Sequence, residues 1–144
     1  MNPIRLQRFS YRLRGIPILP KLITYIIRLI FSCYLPYTLN LGKNLILGYG
    51  GLGVVIHSRA KIGDNCHIDQ NVTIGGTSKK NGVPQIGNDV YIGAGAVVLG
   101  PISIGNNVVI GANAVVVKDI PDNCLVVGVP AKVIKRDILK SDYV

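Results

Sequence analysis

Residues 86–116 read IGNDVYIGAGAVVLGPISIGNNVVIGANAVV, and an aliphatic residue returns at every sixth position of this stretch. The same spacing continues towards the N-terminus after one interruption. The positions of this first column, all Ile or Val, are Ile56, Ile62, Ile68, Ile74, Ile86, Ile92, Val98, Ile104, Ile110 and Val116. A period of six fits neither an α-helix nor a hairpin sheet. It is typical of short parallel strands, each forming one face of a coiled prism.

A second column follows four residues after the first and consists of small or β-branched residues, as inward positions near a tight corner require. Its members are Ala60, Cys66, Val72, Val90, Ala96, Ile102, Val108, Ala114 and Ile120. Glycine often follows a first-column residue, as at Gly63 and Gly87, which indicates corners with unusual backbone angles. We therefore predict an all-β fold whose stacked coils bury a continuous aliphatic core.

The interruption lies between Ile74 and Ile86 and predicts a loop at about 76–85. Ile56 precedes Ile74 by one full coil, so His57 is expected to stack against Gly75, at the root of this loop. A looped-out segment beside a histidine and several glycines is what a substrate cleft requires.

The first 37 residues form a basic arm. Residues 1–40 carry six Lys or Arg and no acidic residue, so they hold six of the nine net positive charges. Apolar residues recur there at helical spacing and predict an amphipathic helix, with polar residues opposite. The apolar positions are Leu19, Leu22, Ile23, Ile26, Ile27, Ile30 and Phe31, and the polar ones are Lys21, Thr24, Arg28 and Ser32. The predicted organisation is this arm, a coil domain at 38–136 and a tail at 137–144.

Two roles for the helix stay open. It packs on its own domain or a sister subunit, or it lies on the inner membrane face with its arginines near lipid phosphates. Lys21 and Arg28 interrupt the apolar run, so a transmembrane span is not expected. The arm lacks the interleaved glycines and aromatics of RNA-binding segments, which argues against nucleic acid as a partner.

The amino-acid composition limits the fold class and the residues that could act in catalysis. The chain has 144 residues, enough for one domain, and 49% hydrophobic residues exclude a disordered polar chain. It has no Glu, seven Asp and only two His, so a general base comes from a short list. Its three cysteines are far apart and lack CxxC spacing, which disfavours disulfides and zinc–thiolate sites and fits a reducing cytoplasm.

The array over roughly residues 38–136 resembles the left-handed parallel β-helix of hexapeptide-repeat acyltransferases. Its most specific segments are NVTIGGT at 71–77, PQIG at 84–87, IGAGA at 92–96 and the closing GVPAKVI at 128–134. They are similar to the serine acetyltransferase branch, which includes many polysaccharide O-acetyltransferases. The resemblance implies a homotrimer with active sites between subunits, acetyl-CoA as co-substrate and no metal.

The prediction of the acceptor rests on two positions at which this sequence differs from serine acetyltransferases. Serine acetyltransferases place an Asp-His pair one turn before a Gly-Ile-Val-Ile stretch and another histidine before the loop proline. Here the matching positions read Gly48-Tyr49 and Val83-Pro84. We therefore expect an O-acetyltransferase acting on a sugar hydroxyl in surface polysaccharide assembly, with serine O-acetyltransferase as the alternative.

Site residues follow from the coil register and the resemblance. His57, at a corner, is the predicted catalytic base. Tyr49, His67 and Asp69 are predicted acceptor contacts, with Asp69 placed to orient a histidine of a neighbouring subunit. By resemblance, the cofactor-binding residues are Gly76, Ala94 and Ala112 along the pantetheine arm, with Lys118 and Lys132 near the phosphates.

Two hypotheses from other functional classes remain. A catalytically inactive trimeric scaffold is consistent with the missing histidine pair. A zinc carbonic anhydrase on the same fold needs three histidine ligands gathered across a subunit interface, whereas each chain has only His57 and His67.

Overall fold

The computed structural model describes residues 2–144. Two helices, α1 (Pro3–Arg12) and α2 (Leu19–Phe31), precede a series of short strands. The strands are β1 (Asn40–Leu41), β2 (Ile46–Leu47), β3 (Val55–Ile56), β4 (Lys61–Ile62), β5 (His67–Ile68), β6 (Thr73–Gly75), β7 (Gln85–Ile86), β8 (Tyr91–Ile92), β9 (Val97–Leu99), β10 (Ser103–Ile104), β11 (Val109–Ile110), β12 (Val115–Val116), β13 (Cys124–Gly128) and β14 (Ala131–Arg136). Short 3-10 turns occupy Gly48–Gly51 and Lys140–Asp142.

Up to β12, every third strand belongs to the same sheet. The first sheet has the order β1-β4-β7-β10, the second β2-β5-β8-β11-β13-β14 and the third β3-β6-β9-β12. All pairs within these sheets are parallel except β13 with β14, which is antiparallel and closes the stack. The chain makes about four three-sided coils, which confirms the predicted left-handed parallel β-helix.

The core is the pair of predicted columns. Every residue of both columns is buried, with an exposed fraction of 7% or less. Neighbouring coils bring like residues into register, as Ile56 with Ile74 and Ile74 with Val98. Because each coil covers the apolar face of the next, the stack buries its aliphatic side chains without a second layer.

The glycines after the first column correct one prediction. Gly63 and its equivalents do not adopt positive φ; at most of these corners the residue two positions later does, as at Asn65 and Asn107. A Cβ on Gly63 would collide with the carbonyl oxygen of Gly87 on the next coil. Glycine therefore permits close stacking, and asparagine, which tolerates the left-handed region, makes the corner.

The coils meet at three edges. The first edge follows β1, β4, β7 and β10, the second follows β2, β5, β8 and β11, and the third follows β3, β6, β9 and β12. Along the first edge each side-chain Oδ1 accepts a backbone N–H of the preceding coil at 2.7–2.8 Å. The acceptors are Asp64, Asn88, Asn106 and Asp122.

The tail after β14 folds back over the first edge. Ile138 is buried, and its carbonyl accepts Asn107 Nδ2 at 2.6 Å. Lys140 donates its backbone N–H to Asn107 Oδ1 at 2.7 Å and its Nζ to the Asn65 carbonyl at 2.8 Å. The chain's own tail thus covers part of this edge, and an active site is better sought at the other two.

The arm holds two helices where the sequence predicted one. Gln7 of α1 is buried and donates from Nε2 to the carbonyls of Pro36 and Leu39, at 3.1 and 2.8 Å. The buried face of α2 consists of Pro20, Ile23, Thr24 and Ile27. The predicted apolar face is therefore only partly inward. Thr24, expected on the polar side, is buried, and its hydroxyl is satisfied by donating to the Pro20 carbonyl of the same helix at 3.1 Å. Neither helix is long and apolar enough, within residues 2–144, to cross a bilayer.

Candidate active site

The second edge brings together four of the predicted site residues. Backbone N–H groups link its coils in order: Asp69 to the Ile92 carbonyl at 2.9 Å, Gly95 to Gln70 at 2.9 Å, and Asn113 to Ala94 at 2.8 Å. From one end to the other the edge carries Gly48-Tyr49, Asp69-Gln70, Gly93-Ala94 and Gly111-Ala112. A polar end therefore continues into a run of small residues that leaves the backbone accessible.

At the polar end, Asp69 joins two other side chains. His67 and Asp69 lie on the same side of the chain because the intervening Ile68 points into the core. His67 Nε2 lies 3.2 Å from Asp69 Oδ1, and the Tyr91 hydroxyl donates to Asp69 Oδ2 at 2.7 Å. Both oxygens of this carboxylate are therefore engaged, which fixes its orientation.

This arrangement determines which nitrogen of His67 is available. A carboxylate only accepts, so the contact with Asp69 favours the proton on Nε2 and leaves a lone pair on Nδ1. The imidazole is about one-fifth exposed, and its ring packs edge-on against Tyr91 with centroids 5.3 Å apart. The imidazole of His67 is thus held in a fixed orientation, and among residues 2–144 its Nδ1 makes no hydrogen bond, as a general base would require.

The same carboxylate affects Tyr91. Its hydrogen bond to Asp69, together with burial, raises the pKa of the Tyr91 phenol to about 12. The phenol stays protonated at neutral pH and acts as a donor to Asp69.

Two further features lie beside this cluster. Tyr49 is 83% exposed in a left-handed conformation, φ 49°, and projects from the edge. Gln70 Oε1 is buried without a hydrogen-bond partner. A buried acceptor lacking a donor is costly, so this oxygen is suited to an N–H or O–H of a bound molecule.

The third edge carries His57. Its backbone N–H donates to the Ile74 carbonyl at 2.8 Å, so His57 lies beside Gly75, as the register predicted. However, His57 Nδ1 accepts the backbone N–H of Arg59 at 3.1 Å. The neutral ring then carries its proton on Nε2 and presents a donor. In this geometry His57 is better suited to hydrogen-bond a developing negative charge than to take a proton.

The loop between β6 and β7 lies on the same edge. Together with residues 99–102 and 117–119 it lines a groove of about 340 Å³, whose lining includes Thr77, Lys80 and Lys118. Thr77 Oγ1 is buried in it without a hydrogen-bond partner. Gly76 lies at the loop root, and Val83 is buried, so the valine side chain cannot contact an acceptor.

The predicted site residues thus fall into two groups within one chain. Tyr49, His67, Asp69, Ala94 and Ala112 belong to the second sheet and its edge, whereas His57, Gly76 and Lys118 belong to the third edge. Lys132, on β14 opposite Val127, stands at the far end of the second edge. A single chain does not place the two groups side by side.

Among residues 2–144 no three side chains of His, Cys, Asp or Glu gather closely enough to hold a metal ion. Cys33, Cys66 and Cys124 are free and buried.

Comparison with known proteins places this geometry in a family. Residues 84–118 match the family model "Bacterial transferase hexapeptide (six repeats)". A serine acetyltransferase of Synechococcus elongatus is 42% identical over 140 residues, which are 96% of this chain and 57% of that protein. The chain belongs to the hexapeptide-repeat serine acetyltransferase family.

Solved structures of serine acetyltransferases have a similar fold. Serine acetyltransferase from Brucella abortus strain S19 in complex with coenzyme A superposes with a TM-score of 0.90 at 34% identity, covering 94% of this chain and 56% of that one. The Neisseria gonorrhoeae enzyme in complex with serine gives 0.85 at 38% identity, covering 90% and 54%. The chain therefore spans just over half the length of these family members.

Tyr91 and Gln70 were missed at the level of sequence. Tyr91 lies 24 residues after His67, one coil of 18 plus the six residues of the loop insertion, and pairs with it in register. Adding the loop length to the coil period would have placed Tyr91 beside His67. Nothing in the sequence indicates that the Gln70 oxygen is unpartnered.

Proposed function

We propose that this protein is an acetyl-CoA-dependent O-acetyltransferase that works as a homotrimer with its active sites between subunits. One observation carries the proposal: the polar end of the second edge holds an oriented histidine–carboxylate pair, and the edge continues from there as small residues towards Lys132. Support comes from the family relative in complex with coenzyme A and from the trimers typical of hexapeptide-repeat acetyltransferases.

Acetyl-CoA would supply the acyl group and a thiol leaving group. The residues present fit such a molecule: Ala94 and Ala112 leave room for an extended arm, Gln70 offers an unpartnered acceptor, and Lys132 offers a cation for phosphate. Lys80 and Lys118 at the groove of the third edge would supply further cations from the neighbouring subunit. The site is complete when the third edge of one subunit faces the second edge of the next.

We assign the proton transfer to His67. Its Nδ1 takes the proton of the acceptor hydroxyl, and Asp69 stabilises the imidazolium that forms at Nε2. Tyr91 holds Asp69 in place through the second oxygen. The imidazolium then returns a proton to the departing thiolate, so the histidine is unchanged after each turnover.

His57 remains the alternative base. Taking a proton at Nε2 would require it to give up the Arg59 contact and place its own proton on Nδ1. In the arrangement observed, the Nε2–H of His57 suits the carbonyl oxygen on which negative charge develops. His57→Ala and His67→Ala separate the two assignments, because a lost base lowers the rate mainly where its proton-accepting form is populated, whereas a lost donor lowers it at all pH values.

Serine is the first acceptor to test. The curated relatives and the serine-bound structure carry that name, which reverses the order expected from the sequence. Tyr49 and Val83 stand where the sequence comparison expects histidines, and this keeps a sugar hydroxyl as the second candidate.

The deciding experiment has two stages. Calorimetric titration with acetyl-CoA is expected to give one site per chain, weakened by Lys132→Ala and unaffected by Lys135→Ala. Release of free thiol is then followed with L-serine and, separately, with a panel of sugars. Absence of acetyl-CoA binding at millimolar ligand would overturn the proposal in favour of an inactive scaffold. Binding and turnover with sugars alone would favour the second acceptor.

A further inference from the structure

Helix α2 has a second apolar face that points away from the protein. Leu22, Tyr25, Ile26 and Leu29 follow the i, i+3, i+4, i+7 pattern of one helix face, opposite the buried face. All four are exposed, and Leu29 is 85% exposed. We call these four residues the outer face of α2. An exposed contiguous apolar surface of this kind marks an interaction site.

The turn before α2 extends this apolar surface. Ile16 and Ile18 are exposed there, and Ile18 has φ 75°, a conformation that a β-branched residue rarely adopts. The chain therefore keeps a large apolar side chain at a strained, solvent-facing turn next to the outer face.

The arm that carries this surface is basic and has no acidic residue of its own. The arm's six basic residues are all exposed, and residues 1–40 contain no acid. They are Arg5, Arg8, Arg12, Arg14, Lys21 and Arg28. Across residues 2–144 none of them forms an ion pair, although Arg8 and Arg14 donate to backbone carbonyls. Lys21 and Arg28, two turns apart, flank the outer face on one side.

We propose that the outer face of α2 docks on an anionic lipid bilayer. The helix lies in the plane of the surface, with Leu22, Tyr25, Ile26 and Leu29 at the acyl boundary. Lys21 and Arg28 reach the lipid phosphates. Apolar burial and attraction to anionic headgroups together are what holds an amphipathic helix at an interface.

Charge complementarity favours lipid over a two-fold pairing of arms. Such a pairing would place the same surface on both sides and bring like charges together. An anionic bilayer supplies the opposite charge. The proposal is independent of the acceptor and of the catalytic assignment.

Vesicle flotation of the full chain tests it. We expect at least about tenfold more protein to float with mixed phosphatidylcholine–phosphatidylglycerol vesicles than with phosphatidylcholine alone. Salt should weaken this binding. Leu29→Asp should reduce it about tenfold or more. Leu139→Asp, which places the same change on an exposed leucine of the tail, should leave it unchanged.

Charge reversal provides a second test of the proposal. The double variant Lys21→Glu/Arg28→Glu keeps the outer face but should lose the preference for anionic vesicles, and both side chains are exposed, so the fold should tolerate the change. Equal flotation with both vesicle types, or none, would overturn the proposal. A fall in oligomeric mass caused by Leu29→Asp, with no flotation of the parent, would show that the face is a protein interface instead.

Discussion

His67 Nε2 lies 3.2 Å from Asp69 Oδ1, across a single inward-pointing residue of β5. The pair belongs to one chain, whereas the sequence suggested that Asp69 orients a histidine of another subunit. On a strand, a spacing of two residues is the shortest that puts both side chains on the same face. The carboxylate's second oxygen is held by Tyr91 from the next coil, so the geometry depends on stacking as well as on local sequence.

Asp69→Asn is expected to lower kcat/KM by roughly 10²–10⁴-fold. An amide nitrogen at the Oδ1 position would donate to His67 and favour the proton on Nδ1, the wrong tautomer for a base. Thiol release measured with saturating acetyl-CoA checks this. Asp142→Asn, which removes a carboxylate from the exposed tail, serves as the matched control, and an equal loss in both variants would contradict the assignment.

Tyr91→Phe should change how stability depends on pH. The pKa of Tyr91 is raised from 10.0 to about 12 in the folded protein. A group with a raised folded pKa stabilises fully below its unfolded value and loses that contribution as pH rises, here between about 10 and 12. The free energy of unfolding in urea should therefore fall less steeply over this window in Tyr91→Phe.

Cys33 titrates in an overlapping range, because burial raises the pKa of its thiol from 9.0 to about 11. Its contribution is present in parent and variant alike, so the difference between them isolates Tyr91. Tyr25→Phe, on the exposed outer face of α2, is the control and should follow the parent. A Tyr91→Phe curve identical to that of the parent would refute the role of the Asp69 hydrogen bond.

Gly48→Ala should disable the site through Asp69. A Cβ at residue 48 would lie 2.5 Å from Asp69 Oδ1, so the carboxylate must move away from His67. We expect kcat/KM to fall at least about tenfold, with little change for Gly15→Ala, where a Cβ meets nothing within 4 Å. In an Asp69→Ala background the added methyl should cost much less, and additive effects in this cycle would contradict the coupling.

Ile92→Ala should test the stack of coils. Ile92 is fully buried in the first column, between Ile68 and Ile110 of the adjacent coils. Removing its side chain should lower the free energy of unfolding by about 2–5 kcal/mol, since the flanking coils can collapse only partly into the cavity. Ile134→Ala, on the exposed face of β14, should cost less than about 0.5 kcal/mol by chemical denaturation.

The sequence alone determined the coils. A six-residue period fixes which two positions of each repeat point inwards, so both columns could be predicted. The loop between Ile74 and Ile86 and the stacking of His57 beside Gly75 follow from the same spacing. Helix α2 also spans the apolar run from Leu19 to Phe31 that the spacing predicted. These features depend on local spacing, and spacing is visible in one chain read in order.

Tertiary structure decided the rest. Tyr91 lies beside Asp69 because the six inserted residues between β6 and β7 form a loop outside the coil. Asn107 is covered because the tail folds back over it. The hydrogen bonds of Gln7 with the carbonyls of Pro36 and Leu39 hold α1 against the residues that precede β1. Each of these outcomes depends on partners far apart in sequence, whose approach is set by the packing of whole elements, and no residue pattern within one element records it.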